Sequence, residues 1–119
     1  MNKLSKLRQR MAEAKLDAVV ATSLTAIRYL SGFTSDEAAF LVTDKQSYLL
    51  TDFRYTIQAV EQCGPSVRVV EVGRGEFYST LERLLHDDGC TRLGFEEQAM
   101  TLATFRRYEA LPVTLTPFS

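Results

Sequence analysis

The 119-residue sequence is poor in the side chains that usually hold metal ions or act as nucleophiles. It contains one histidine, His86, and two cysteines, Cys63 and Cys90, which form no Cys-x-x-Cys pair. A structural zinc site or a disulfide framework needs more such residues at closer spacing, so both cysteines are expected to be reduced. A hydrolytic dinuclear site needs several converging carboxylates and usually a histidine. We therefore predict no catalytic residue and no metal site in this chain.

The sequence also lacks an excess of positive charge and any long apolar run. It has 14 Lys and Arg against 15 Asp and Glu, for a net charge of -1. Without a basic field, nucleic acid and anionic membranes are disfavoured as partners. No apolar run approaches the roughly 20 residues of a membrane span, and the charged N-terminus has no signal-peptide core. These features favour a cytoplasmic protein.

Helical and strand patterns alternate along the chain. Apolar residues three and four apart predict an amphipathic helix over 2–15, with Asn2 as its N-cap. Further patterns predict strands at 16–21, 38–43, 47–51, 67–72, 91–96 and 113–116, and helices at 26–30, 53–63, 77–88 and 101–110. This order predicts one α/β domain over residues 1–119, a mixed sheet of about six strands with one antiparallel hairpin and helices on both faces.

Several chemically suggestive groups have a plainer interpretation. His86 lies in the last turn of a predicted helix, where an imidazole is favourable without any ligand role. Gly73-Arg74-Gly75 lacks the third glycine of a dinucleotide fingerprint and is interpreted as an ordinary loop. Glu96 and Glu97 point to opposite sides of a strand end, so they are interpreted as solvated loop residues.

Two charged corners flank the predicted hairpin and form the best candidate site. Arg28 and Asp36-Glu37 precede its first strand, and Asp52-Phe53-Arg54 follows its second. Arg54 is predicted in the first turn of a helix capped by Thr51 or Asp52, where a cation opposes the helix dipole. It should therefore meet a carboxylate: Asp52, a loop acid or a ligand. An internal Arg–Asp brace that joins the two corners is the alternative.

Four segments, 27–33, 39–43, 48–55 and 93–96, resemble the N-terminal domain of proline-specific metallopeptidases. These are the Xaa-Pro dipeptidases and aminopeptidases P, with creatinase as a relative. The resemblance runs in order along the whole chain and includes the opening helix. It implies the fold of that N-terminal domain. It also implies that a separate C-terminal catalytic domain of pita-bread fold, absent from this chain, binds two divalent ions such as Mn, Co or Zn.

The resemblance further implies a homodimer in which a loop of this domain closes over the partner's active site. The matching loop is 33–37, so Phe33 and Asp36 or Glu37 would approach the substrate, with an acid meeting the free amino group of a short proline-containing peptide. Arg54 matches the arginine of an Asp-x-Arg-Tyr corner and would face the substrate carboxylate. Residues 114–119 read as the start of a linker, so a longer parent protein is expected.

Ala38-Ala39 follows Glu37 without the polar or basic residue that some dipeptidases carry there. The choice between dipeptidase and aminopeptidase therefore stays open. Two other functions also stay open: a stand-alone module that binds peptides or proteins, and a self-contained enzyme that uses Asp36, Glu96 or Glu97.

Overall fold

The computed structural model describes residues 3–35 and 37–118. None of the helices in these ranges combines the length and apolar character needed to cross a membrane. The elements, in chain order, are α1 Lys3–Glu13, β1 Ala18–Ala21, α2 Leu24–Ser31, β2 Ala38–Thr43, β3 Ser47–Thr51, α3 Thr56–Cys63, β4 Arg68–Glu71, α4 Phe77–Asp87, β5 Arg92–Phe95, a 3-10 turn Glu97–Ala99, α5 Leu102–Glu109 and β6 Thr114–Pro117.

The strands form one mixed sheet in the order β4-β3-β2-β1-β5-β6. Strand β2 runs antiparallel to both of its neighbours, β1 and β3, whereas the other adjacent pairs are parallel. Five strands therefore end at the edge where β2 begins, and we name this the carboxyl edge. The six-stranded mixed sheet with one hairpin confirms the predicted fold class.

Helices cover both faces of the sheet because its strands alternate apolar residues between two cores. Along β1, Ala18 and Val20 pack with buried leucines of α4 and with Tyr108 of α5. Val19 and Ala21 face the other core, to which α1, α2 and α3 contribute buried side chains. A strand that is apolar on both faces is typical of a sheet enclosed by helices.

Helix α1 is shorter than predicted and ends at Glu13. Lys15 has a left-handed backbone, with φ 60°, so the helix cannot continue through it. The N–H of Leu16 donates to the carbonyl of Met11 at 2.8 Å, which satisfies a terminal helix carbonyl and turns the chain into β1. The predicted N-cap, Asn2, lies outside the described residues.

Helix α2 is longer than predicted and has a defined cap at each end. The hydroxyl oxygen of Ser23 accepts a hydrogen bond from the N–H of Ala26 at 3.2 Å. Gly32 ends the helix with φ 86°, and an added Cβ would lie 3.0 Å from the Gln62 carbonyl oxygen. Glycine is therefore required here both by backbone conformation and by the close approach of α3.

The start of α3 was predicted three residues too early. The helix begins at Thr56 after Tyr55, and neither Thr51 nor Asp52 caps it. Instead, the Asp52 carboxylate accepts the Arg54 N–H at 2.9 Å, and the Asp52 carbonyl accepts the Tyr55 N–H at 3.1 Å. This local turn competes with the helix, so Arg54 lies before α3 and does not oppose its first turn.

Asp17 ties the two central parallel strands together at the opposite edge of the sheet. Its Oδ2 accepts the N–H groups of Thr91 and Arg92 at 2.9 and 3.0 Å and the Thr91 hydroxyl at 3.1 Å. These hydrogen bonds, led by that from the Thr91 N–H, lower the pKa of the Asp17 carboxyl below its usual value. The ionised form therefore stabilises the junction of β1 with β5.

We predict that Asp17→Asn lowers the free energy of unfolding by about 1 kcal/mol at pH 7, because an amide accepts these hydrogen bonds more weakly than a carboxylate. The folded pKa is depressed, so the contribution of Asp17 is complete above the unfolded pKa of about 3.9 and is lost as the pH falls through the folded pKa.

Urea unfolding at pH 7 and near pH 3 measures this difference. The gap between wild type and Asp17→Asn should narrow at the lower pH. Asp87→Asn, which alters an exposed aspartate at the end of α4, is the control. An equal difference in unfolding free energy at both pH values would contradict a lowered pKa of Asp17 in the folded state.

Candidate functional site

The carboxyl edge holds a cavity of about 680 Å³ between the sheet, the N-terminal end of α4 and one side of α5. Glu37 enters its lining because it precedes β2, Asp52 because it follows β3, and Arg74 because it lies in the loop after β4. Thr22, after β1, completes this set of loop residues. In open α/β sheets, such crevices beyond the carboxyl ends of the strands are the usual ligand sites.

Asp52 holds Arg54 in a fixed orientation at the mouth of this cavity. Arg54 Nη2 lies 2.7 Å from Asp52 Oδ2, and Arg54 Nε lies 3.1 Å from Oδ1, which makes the pair bidentate. The hydrogen bonds from Arg54 lower the pKa of Asp52, and the Asp52 carboxylate raises the pKa of Arg54. The guanidinium also lies over the Tyr55 ring, 5.2 Å from its centroid.

The Arg54 guanidinium remains available to a ligand although it is paired. Its side chain is 57% exposed, and Nη1 makes no hydrogen bond within residues 3–35 and 37–118. The Glu37 carboxylate is close enough to contribute to the raised pKa of Arg54. The carboxyl edge thus combines a fixed cation, the Arg54 guanidinium, with an exposed anion, the Glu37 carboxylate. Arg54 thus meets Asp52, one of the carboxylates that we predicted, and this pair lies within one corner; among the described residues no Arg–Asp ion pair joins the two corners.

Glu37 is positioned through its backbone. Its N–H donates to Ser35 Oγ at 3.1 Å, and its carbonyl accepts the Thr51 hydroxyl at 2.7 Å. The carboxylate itself is exposed and forms no ion pair with a described residue. Asp36, the other predicted acid of the loop, lies outside the described residues.

Phe33 is a core residue in this structure, with 0% exposure, so it does not line the surface as we expected. Its ring meets Tyr55 edge-to-face with centroids 6.4 Å apart. A large aromatic side chain at the start of the loop stabilises the fold more when it is buried in the core than when it is exposed at the edge of the sheet. Phe33 therefore holds the loop against the Arg54 corner, and the two corners do lie together. Arg28 is exposed on α2, over the other core, and does not line the cavity.

Glu96 is the structural residue that the sequence interpretation missed. Its Oε1 accepts the N–H groups of Thr22 and Ser23 at 2.6 and 2.9 Å, and its Oε2 accepts the Ser23 hydroxyl at 2.7 Å. Glu96 is thus no solvated loop residue: it joins the end of β5 to the start of α2. The sequence could signal this only if the β1–β5 pairing were already known.

No three His, Cys, Asp or Glu side chains converge as a metal site within residues 3–35 and 37–118. His86 is exposed in the last turn of α4, as predicted. Both cysteines are free thiols. Burial raises the pKa of the Cys90 thiol to about 12 and raises that of Cys63, which disfavours the nucleophilic thiolate.

The fold of this chain is that of a known family. The chain matches the family described as "Creatinase/Prolidase N-terminal domain" over residues 3–119, and it belongs to that family.

Particular relatives are peptidases. An uncharacterised peptidase of Bacillus subtilis, YqhT, is 35% identical over 109 residues, which are 92% of this chain and 30% of that protein. A solved Xaa-Pro dipeptidase from Bacillus anthracis is 28% identical with a TM-score of 0.91, over 98% of this chain and 33% of that one. The chain thus spans about a third of the length of these two proteins.

A third relative is a domain solved by itself. The N-terminal domain of the cytoplasmic peptidase PepQ from Mycobacterium tuberculosis H37Rv is 30% identical with a TM-score of 0.84. The match covers 98% of this chain and 92% of that one. A unit of this size therefore folds without the rest of the peptidase in that relative.

Glu96→Ala should lower the free energy of unfolding by about 2 kcal/mol, because three hydrogen bonds to a charged acceptor are lost and two backbone N–H groups lose their partner. Chemical denaturation measures the change. Glu97→Ala is the matched control, since Glu97 is exposed and makes no such contacts. Equal losses in the two variants would show that Glu96 is solvated after all.

Proposed function

We propose that this chain is the non-catalytic N-terminal domain of an Xaa-Pro dipeptidase or aminopeptidase P. In this proposal it contributes dimerisation and substrate gating to a metal-dependent active site on the C-terminal domain of a partner subunit. The observation that carries the proposal is the exposed Arg54 guanidinium, held by Asp52 at a cavity that Glu37 also lines. The family membership and the peptidase relatives support it.

We call the charged side chains at the cavity, Arg54 and Glu37, the rim. The rim suits a short peptide whose two ends are free. Glu37, or Asp36 in the same loop, would accept hydrogen bonds from the substrate's free amino group. Arg54 would donate to its carboxylate through charge-assisted hydrogen bonds. Such a pair also limits substrate length, because a longer peptide could not place both of its terminal charges against the two groups at once. Phe33 would act indirectly, since it fixes the loop from within the core.

The divalent ions of the proposed active site do not fit the residues that the structure describes. No group of three potential ligands exists in the described ranges. In the proposal, the ions belong to the C-terminal domain of the parent protein. In the same proposal, the described residues bind, orient and select the substrate. A cytoplasmic location is proposed because the related PepQ is described as cytoplasmic.

An apolar stripe next to Arg54 supports dimerisation. Phe53 and Ile57 are each 77% exposed, and Val60 is 57% exposed. Ile57 and Val60 lie three residues apart and share one face of α3, and Phe53 lies in the turn just before that helix. In a soluble domain, such an unpartnered stripe marks an interaction surface. A second copy is the proposed occupant, because Phe53 adjoins Arg54 and a subunit seated here would contact the rim of the site.

A stand-alone binding module is the second candidate function. It is favoured by the cavity at the carboxyl edge, because residues of this chain line it. It differs from the first proposal in requiring no catalytic domain.

In the parent peptidase, Arg54→Ala should lower kcat/KM for a short Xaa-Pro peptide roughly tenfold or more, because a charge-assisted contact with the substrate carboxylate is lost. Steady-state kinetics and a thermal melt of the same sample measure activity and folding. Arg83→Ala, at an exposed position on α4, is the matched control. A lower melting temperature with unchanged activity per folded molecule would reduce Arg54 to a structural brace.

Ile57→Asp should weaken self-association of the parent protein at least tenfold, because burying an unpaired carboxylate in an apolar contact is costly. Sedimentation analysis over a dilution series measures the monomer–dimer equilibrium. Leu102→Asp is the control, since Leu102 is also exposed, at 66%, but lies on α5. If both variants dimerise like the wild type, the stripe is not the interface.

A further inference from the structure

The cavity at the carboxyl edge has an aromatic wall built from α4 and α5. The ring centroids of Phe77 and Tyr78 lie 5.0 Å apart, and those of Tyr78 and Tyr108 lie 5.4 Å apart. Both pairs are close to perpendicular, at 85° and 82°, so the rings fix each other edge-to-face. Ala39 and Leu50 of the sheet add apolar lining. The volume of about 680 Å³ lies within the range of small-molecule sites.

Tyr108 brings an unused hydrogen-bond donor to this wall. The residue is 1% exposed, yet its hydroxyl makes no hydrogen bond within residues 3–35 and 37–118. In the same ranges, no fully buried side-chain nitrogen or oxygen lacks a partner. The hydroxyl oxygen is therefore not sealed inside the protein, and Tyr108 lines this cavity. Burial, with a smaller contribution from Tyr78, raises the pKa of Tyr108, so the hydroxyl stays protonated and can donate.

The mouth of the cavity carries both signs of charge. Glu37 and Arg74 line it, are exposed, and form no ion pair with any described residue. Asp52 is occupied by Arg54, and the Glu71 carboxylate accepts from the Thr56 hydroxyl at 3.1 Å. A purely anionic ligand would meet these acids, and a purely apolar ligand would leave the Tyr108 hydroxyl without an acceptor.

We infer that this cavity binds a zwitterionic amino acid or dipeptide with a tyrosine side chain. The ligand ring packs against Phe77 and Tyr78, and its hydroxyl oxygen accepts a hydrogen bond from Tyr108. The ligand ammonium group is bound by Glu37 and its carboxylate by Arg74. The inference names a ligand for the second candidate function, the binding module, on which it rests, and it is independent of the peptidase proposal, because every contact comes from this chain and no hydrolysis is involved.

The test titrates the 119-residue chain with the dipeptides Gly-Tyr and Gly-Phe, followed by calorimetry or by amide NMR shifts. One neutral hydrogen bond predicts that Gly-Tyr binds about fivefold more tightly than Gly-Phe. Tyr108→Phe should abolish that preference. This variant should fold normally, since the hydroxyl that it removes has no partner among the described residues, and its NMR spectrum checks this.

A second set of titrations tests the charged residues at the mouth of the cavity. Wild type should prefer Gly-Tyr to Gly-Tyr amide, and Arg74→Gln should lose this preference for the free carboxylate, while Arg83→Gln keeps it. The inference is overturned if Gly-Tyr shows no saturable binding up to about 10 mM. It is equally overturned if the preference for Gly-Tyr persists in Tyr108→Phe, or if Ala-Pro binds as tightly as Gly-Tyr. None of these outcomes bears on turnover by the parent peptidase, so the two proposals fail separately.

Discussion

The register of β2 against β3 is the constraint on which the site depends. Ala38 pairs with Thr51, so the residue before β2 and the residue after β3 are neighbours at one edge of the sheet. The Thr51 hydroxyl then donates to the Glu37 carbonyl at 2.7 Å, which joins the loop directly to the strand end. A slip of one residue would exchange the two faces of β2 between the cores and separate the acid from the base. The apolar residues of the hairpin, buried on both faces, prevent such a slip.

Other contacts hold in place the loop and the Arg54 side chain that this register brings together. Phe33 secures the loop from the core, and Asp52 orients Arg54 from within its own turn. Thr34 adds a third connection, since its N–H donates to Gln62 Oε1 of α3 at 3.0 Å. The site is thus a set of exposed charges on well-anchored backbone. Such preorganisation lowers the entropic cost of binding a small charged ligand.

Local pattern was enough to predict the elements and the fold class. The hairpin followed from two short apolar runs around Asp44-Lys45-Gln46, and its strands, Ala38–Thr43 and Ser47–Thr51, have the predicted bounds. The helix ends were less accurate, because they depend on single hydrogen bonds such as that from the Arg54 N–H to Asp52. Sequence periodicity does not encode such bonds.

The parts of the site that the sequence did not predict depend on strand order. Glu96 contacts residues more than 70 positions away, because β5 lies beside β1. Arg74 belongs to a loop that looks ordinary until β4 is placed at the edge beside β3. The burial of Phe33 likewise needs the packing of α3 to be known. Charge and residue type identified the corners, whereas three-dimensional neighbours decided which side chains face the cavity.

The central claim is that this domain supplies its charged rim to the active site of another subunit. Mixing two impaired forms of the parent peptidase tests it: one form carries Arg54→Ala, and the other has an intact rim but lacks a metal ligand of its catalytic domain. After subunit exchange, half of the dimers are mixed and each has one complete site, so about a quarter of wild-type activity should return. A mixture no more active than its two components would contradict the claim.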